Sequence, residues 1–269
     1  MKFKKTRQQG FTLVEMAMVL VILGFVLAAL LLPIQAQRQQ LAQSQTENTL
    51  ESAKQALLGF AQSQGRLPCP ATAANGAESP LGGGTCTQQV GFLPAATLGI
   101  QPTNSLGFAI DAWNNPIRYA ITADESSGFG SPRNNNPNQV IDGTHPACTG
   151  DIRPDFTTTG NLAEVGLVCL APNLRVCATS LAANCSNAVN LINNAVAVIY
   201  SIGATGAQGF AGRPDETENL NAVGVGQADT TFVSHDISLT AAPNEFDHLV
   251  TWISPYVLYN AMIQAGQLH

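Results

Sequence analysis

The sequence predicts an α+β chain in which one long N-terminal helix packs on an antiparallel β-sheet domain with long, disulfide-bonded loops. Residues 11–34, FTLVEMAMVLVILGFVLAALLLPI, form an apolar run broken by a single charge, Glu15. Leu50, Ala53, Leu57 and Phe60 then recur at helical spacing and give one apolar stripe. Past Gly65 the pattern changes to short segments rich in β-branched and aromatic residues, at 117–122, 165–170 and 195–202, separated by turn-forming stretches. With 24 glycines, 15 prolines and only 6% aromatic residues, that second part is loop-rich rather than a helical bundle.

Taken in order, residues 1–10 are a short basic leader carrying Lys2, Lys4, Lys5 and Arg7. Residues 11–34 exceed the roughly 20 apolar residues that a membrane crossing needs. The positive-inside bias keeps the leader in the cytoplasm and sends everything after Arg38 across the membrane. A cleaved signal peptide or a plain anchor is the simpler reading, and small residues near Gln35 and Ala36 would allow cleavage there. Glu15 argues against both, because a carboxylate in an apolar span costs about 2.5–3.5 kcal/mol on insertion scales and neither device needs it. It requires a partner. Ala17, Gly24, Ala28 and Ala29 add small surfaces where such helices approach closely.

Residues 35–62 continue the helix as an amphipathic half, with an interruption expected near Pro33 and a stop at Gly65, reinforced by Pro68 and Pro70. Residues 63–269 form the globular domain. Within it, 71–85 and 131–139 are loops by composition. Ser254 as cap, Pro255 at the first position and Gly266 as stop define a final helix over 256–265.

Four of the 12 basic residues lie in the leader, so the rest of the chain, with 18 acidic residues, is strongly acidic and offers no basic face for phosphates. Nucleic-acid binding is not expected. The six cysteines, Cys69, Cys86, Cys148, Cys169, Cys177 and Cys185, all follow the apolar run. An even count on the oxidising side favours disulfides over zinc, since no C-x-x-C pair occurs and the histidines show no ligand spacing. Sequential pairing closes the shortest loops: Cys69 with Cys86, Cys148 with Cys169, and Cys177 with Cys185. No G-x-S-x-G, H-E-x-x-H or G-x-x-x-x-G-K-[ST] motif is present. His235–Asp236 and Asp247–His248 are adjacent pairs whose side chains point apart, so they read as surface or strand-end polar residues rather than parts of a triad.

The segment KKTRQQGFTLVEMAMVLVILG resembles the prepilin-type signal and first helix of type IV pilins and type II secretion pseudopilins. The basic leader, Gly10, Phe11, Glu15 and Gly24 carry the likeness. It implies cleavage between Gly10 and Phe11 by a prepilin peptidase on the cytoplasmic side, N-methylation of Phe11, and a role for Glu15 in assembly with other pilins on an inner-membrane platform. GRLPCP at 65–70, LPAATLGI at 93–100, DAWNNPIRYAI at 111–121 and VIYSIGATG at 198–206 are similar to motifs of large pseudopilin-like proteins. In the major pseudopilins a segment like YSIGATG opens a calcium loop. Asp215, Glu216 and Glu218 follow that loop here as calcium candidates, but Thr205 stands where those proteins place an aspartate.

The resemblance implies a structural, non-enzymatic subunit, of minor type from its large domain, in a type II secretion pseudopilus or a type IV pilus. It would be single-pass in the inner membrane with a periplasmic domain before entering a filament. The alternatives are a filament-tip binding module for an exported protein or a surface, and a membrane-anchored periplasmic enzyme. No cofactor is required, calcium being the one possible exception.

Overall fold

The computed structural model describes residues 12–83, 86–122, 172, 174–180, 190–206, 212–220 and 231–268, with the backbone alone for 28–36. Gly10, Phe11, the leader, the strand expected at 165–170, the loop at 131–139, and Cys148, Cys169 and Cys185 lie outside these residues. In chain order the elements are α1 (Leu13–Gln64), β1 (Val90–Phe92), α2 (Ala95–Leu98), β2 (Arg118–Ile121), β3 (Leu174–Cys177), β4 (Asn190–Ala195), β5 (Ala197–Ser201), α3 (Pro214–Glu218), β6 (Thr231–Val233), β7 (Leu249–Ile253) and α4 (Pro255–Gln264).

The chain divides into two compact units, Met1–Ser44 and Gln45–His269. In the first, α1 begins at Leu13 and runs without a break through Pro33, so the interruption expected there is not found. A mid-helix proline removes one hydrogen bond and crowds the preceding turn, and here the neighbouring turns keep the helical path. Among the described residues no helix is long and apolar enough to cross a membrane. The described side chains of the apolar run stop at Leu27, short of a full span.

In the second unit, β1, β2, β5 and β7 form an antiparallel sheet in that order. Leu50, Ala53, Leu57 and Ala61 of α1, with Leu258 and Met262 of α4, pack on one face of it against Tyr119, Ile121, Ala197 and Ile199. The opposite face carries Ala120, Val198 and Tyr200, which meet Leu174, Val176 and Phe232 of a second, three-stranded sheet ordered β4-β3-β6. Alternate residues of β2 and β5 thus enter different cores, as a strand's two-residue period dictates. Covered on both sides, β5 (AVIYS) is buried throughout, which explains its unbroken apolar run. The α+β prediction holds, but the second sheet is mixed: β3 pairs antiparallel with β4 and parallel with β6.

Local signals act as read. The α1 stripe is buried at Leu50, Ala53 and Leu57, with Phe60 half-buried, and the helix ends as Gly65 takes φ +67°. Ser254 caps α4 by accepting from the Val257 amide, with Pro255 at the first position and Gly266 beyond the end at φ +70°.

Candidate functional site

At the start of α1, the Glu15 carboxylate accepts from the Thr12 backbone N–H at 2.8 Å and from the Thr12 hydroxyl at 2.9 Å. The Glu15 amide donates to Thr12 Oγ1 at 3.3 Å. These reciprocal bonds are a capping box, and T-x-x-E immediately before an apolar run is its sequence signature. Thr12 therefore supplies Glu15 with partners within its own turn. Around this turn Leu13, Val14, Met16, Met18 and Phe25 are exposed, Leu13 to 87%. An apolar helix surface of this extent in the described chain needs a lipid or protein partner.

In the second unit, Cys69 and Cys86 are disulfide-bonded, the first of the expected pairs. Cys177 is also in a disulfide, with its partner outside the described residues. Beside the first bridge lies a buried ion pair. Arg66 donates to both oxygens of Glu78 at 2.7 Å, and Glu78 also accepts from the amides of Cys69 and Gly82 at 3.3 and 3.2 Å. This clamps the GRLPCP segment to the loop that follows it.

The motifs DAWNNPIRY and YSIGATG meet in space. Asp111 accepts from the amides of Trp113 and Asn115 and from the Ser201 hydroxyl, while Asn115 donates to the Gly203 carbonyl at 2.6 Å. Burial raises the pKa of Asp111 despite these bonds. Gly203 has φ +65°, and a Cβ placed there would lie 2.3 Å from both the carbonyl and Oδ1 of Asp247. Only glycine lets the loop approach so closely.

The three calcium candidates do not converge. Asp215 accepts from the Ser180 amide at 2.7 Å and lies 3.2 Å from His235 Nε2. Burial alone would raise its pKa, but the bonds from Ser180 and the charge of His235 bring it below the ordinary value. Glu216, from the same short helix α3, is instead fully buried, and its ligand atoms cluster with those of Asp247 and His248 within 4.8 Å. Glu218 is half-buried and outside this cluster.

Asp247 and His248 are thus strand-end residues just before β7, as read, but both are buried rather than on the surface, and their side chains do not point apart, since Asp247 precedes the strand and its carboxylate comes within 4.8 Å of the His248 ring. The signal that could have joined them to Glu216 is weak, since 31 residues separate Glu216 from Asp247 and only the sheet brings them together.

Arg213 is the cation of the cluster. It reaches Glu216 at 3.2 Å and Glu245 at 2.8 Å. Glu216 also accepts from the Asp247 amide at 3.0 Å, and Asp247 Oδ2 accepts from the Thr205 amide at 2.8 Å. Burial, and then their mutual repulsion in the case of Glu216, raises the pKa of both carboxyl groups. His248 is held neutral: burial and the charge of Arg213 lower its pKa to about 3. Its tautomer follows from Asn219, which accepts from the Val233 amide at 2.6 Å and donates to the Val233 carbonyl at 2.9 Å. That pairing turns the Asn219 amide hydrogens toward His248 Nδ1 at 3.1 Å. Nδ1 is then an acceptor and Nε2 carries the proton.

Residues 5–31 match the family model described as the prokaryotic N-terminal methylation motif, which supports membership of the type IV pilin and pseudopilin family. No curated protein and no solved structure matches the chain.

Proposed function

We propose that this chain, a pilin-type subunit by its methylation motif, is a minor structural component of a type II secretion pseudopilus or a type IV pilus. The observation that carries this reading is the coincidence of that motif, over residues 5–31, with a helix whose described apolar side chains from Leu13 to Leu27 are all exposed. A soluble domain does not leave such a surface uncovered; a bilayer first, and a filament core afterwards, would each bury it.

In this reading the prepilin peptidase cuts after Gly10 and methylates Phe11. The 11–34 segment anchors the chain in the inner membrane with its large domain in the periplasm. On extraction into the filament, α1 packs on the same helix of neighbouring subunits. Glu15 guides that docking by pairing with the new amine at Phe11, and the capping box keeps the carboxylate satisfied while the subunit waits in the membrane. The large domain, tied by its disulfides, supports a specialised rather than a bulk role.

The test is mass spectrometry of the protein from cells with and without the prepilin peptidase. A methylated start at Phe11 that depends on the peptidase is expected, and a mature start near Gln37 would return the chain to the secreted proteins. Deletion of the gene, with exoprotein secretion, surface piliation and transformation scored side by side, then assigns the system.

A further inference from the structure

We propose that the outer edge of β7 is a docking site for an extended, basic segment of another protein, which adds to the sheet as a further strand. In the order β1-β2-β5-β7 both end strands have an outer edge. That of β1 is taken, because the Phe92 amide and carbonyl pair with Ala71 at 3.0 and 2.8 Å. That of β7 pairs with no strand among the described residues. The ladder fixes which groups it presents. The Thr122 amide donates to the Val196 carbonyl, so Val198 and Tyr200 turn their backbone groups toward β2, while Ala197, Ile199 and Ser201 turn theirs toward β7. Their partners Ile253, Thr251 and Leu249 face β5 in return, which leaves the N–H and C=O of Val250 and Trp252 pointing outward. None of these four groups has a hydrogen-bond partner among the described residues. Edges of this kind are usually guarded by a charge, a proline or a bulge. The strand LVTWI has neither charge nor proline, and its five residues pair with β5 in unbroken register.

A cavity of about 260 Å³ lies at this edge. Leu249 and Val250 both line it, although they belong to the cores on opposite faces of β7. A cavity that touches both faces of one strand sits at the rim of its sheet. Glu47 and Glu51 of α1 border it from one layer, and Ser234, just past β6, from the other. The chemistry of the partner follows from the α1 border. Glu47 and Glu51 are exposed and one helical turn apart, so they offer two carboxylates to one face of an added strand. Lys54 lies 4.0 Å from Glu51 but does not line the cavity. The matching strand carries Lys or Arg at alternate positions, its main chain supplying affinity and those side chains specificity. A second copy of this chain is the wrong occupant: only eight of its 12 basic residues follow the leader, against 18 acidic ones, so two copies repel. The surface lies within the Gln45–His269 unit and does not depend on entry into a filament.

The experiment measures binding of short fluorescein-labelled peptides to the full-length chain in a non-ionic detergent, by fluorescence anisotropy. One peptide alternates Lys with Val and Thr, a second has Glu in place of every Lys, and a third is the first with its central backbone amides N-methylated. The first should bind saturably, and the other two at least about tenfold more weakly, since each lacks either the charge or the strand's hydrogen-bond donors. Glu47→Gln together with Glu51→Gln, both on exposed side chains, should weaken the first peptide about fivefold. Val250→Pro removes an outward N–H and no bond to β5, and should weaken it about tenfold or more. Should that variant not fold, the N-methylated peptide decides, because it needs no change in the protein. Methylated or acidic peptides that bind as well as the first would overturn the proposal, as would the absence of saturable binding. Self-association of wild type that Val250→Pro abolishes, read by sedimentation, would put a second copy on the edge and equally sink the idea.

Discussion

Replacing Glu78 with Gln isolates the buried clamp beside the Cys69–Cys86 bridge. Each oxygen of Glu78 faces two donors: Oε2 meets Arg66 and the Cys69 amide, and Oε1 meets Arg66 and the Gly82 amide. A glutamine has one oxygen, so its NH₂ group must face two donors on one side whichever way it is turned. The Arg66 charge would then stay in a site where its side chain is 5% exposed, stacked 5.0 Å from the Phe60 ring and without its counter-ion. Breaking one side of such a pair costs about 3–5 kcal/mol. For a domain of this size that is roughly 10 °C in melting temperature. Urea unfolding of the full-length chain in detergent, with the disulfide intact, measures it. The double variant Arg66→Met with Glu78→Leu should recover most of the loss, because an apolar pair leaves no stranded charge. A Glu78→Gln cost under about 1 kcal/mol, or a double variant no better than the single, would refute the account of a desolvated pair.

Glu15→Ala should leave cleavage, membrane insertion and disulfide formation intact while filament incorporation falls sharply; shearing and blotting reads this, and wild-type incorporation would end the docking role. Replacing Cys69 and Cys86 with Ser opens a loop of 17 residues and should cost about 3 kcal/mol in urea unfolding, with the fold retained. Because burial and Arg213 lower the His248 pKa to about 3, its neutral form contributes fully above the unfolded value near 6.5, and that contribution is lost as pH falls below it. Wild type should therefore lose stability between about pH 6.5 and 3 more steeply than His248→Gln does; parallel pH–stability curves would show that His248 is not the group responsible.

What the sequence disclosed follows the range of the forces involved. The α1 stripe, the Gly65 stop, the Ser254 cap and β5 were legible because each depends on neighbours within a turn or on burial of a short apolar run. The Thr12–Glu15 capping box belongs with these, since T-x-x-E before an apolar run is its signature. The second sheet was not legible, since β3 and β6 are three to four residues long and their parallel pairing joins Arg175 to Thr231 across a long stretch of chain. The Arg213 cluster was legible only at Glu216, which local spacing grouped with Asp215 and Glu218; Glu245 and Asp247 join it through contacts that span about 30 residues of chain.

The strands β4 and β5 are one stretch of backbone turned at Val196, whose amide donates to the Ile253 carbonyl and whose carbonyl accepts from the Thr122 amide. This single residue sets the phase of side-chain alternation for both sheets. A one-residue insertion or deletion at Val196 would send Ala197 and Ile199 to the layer that holds Val198 and Tyr200, inverting every contact of β5 at once. Changes in chain length during the evolution of such a domain are therefore confined to its loops, while the segment through Val196 can vary in composition but not in count.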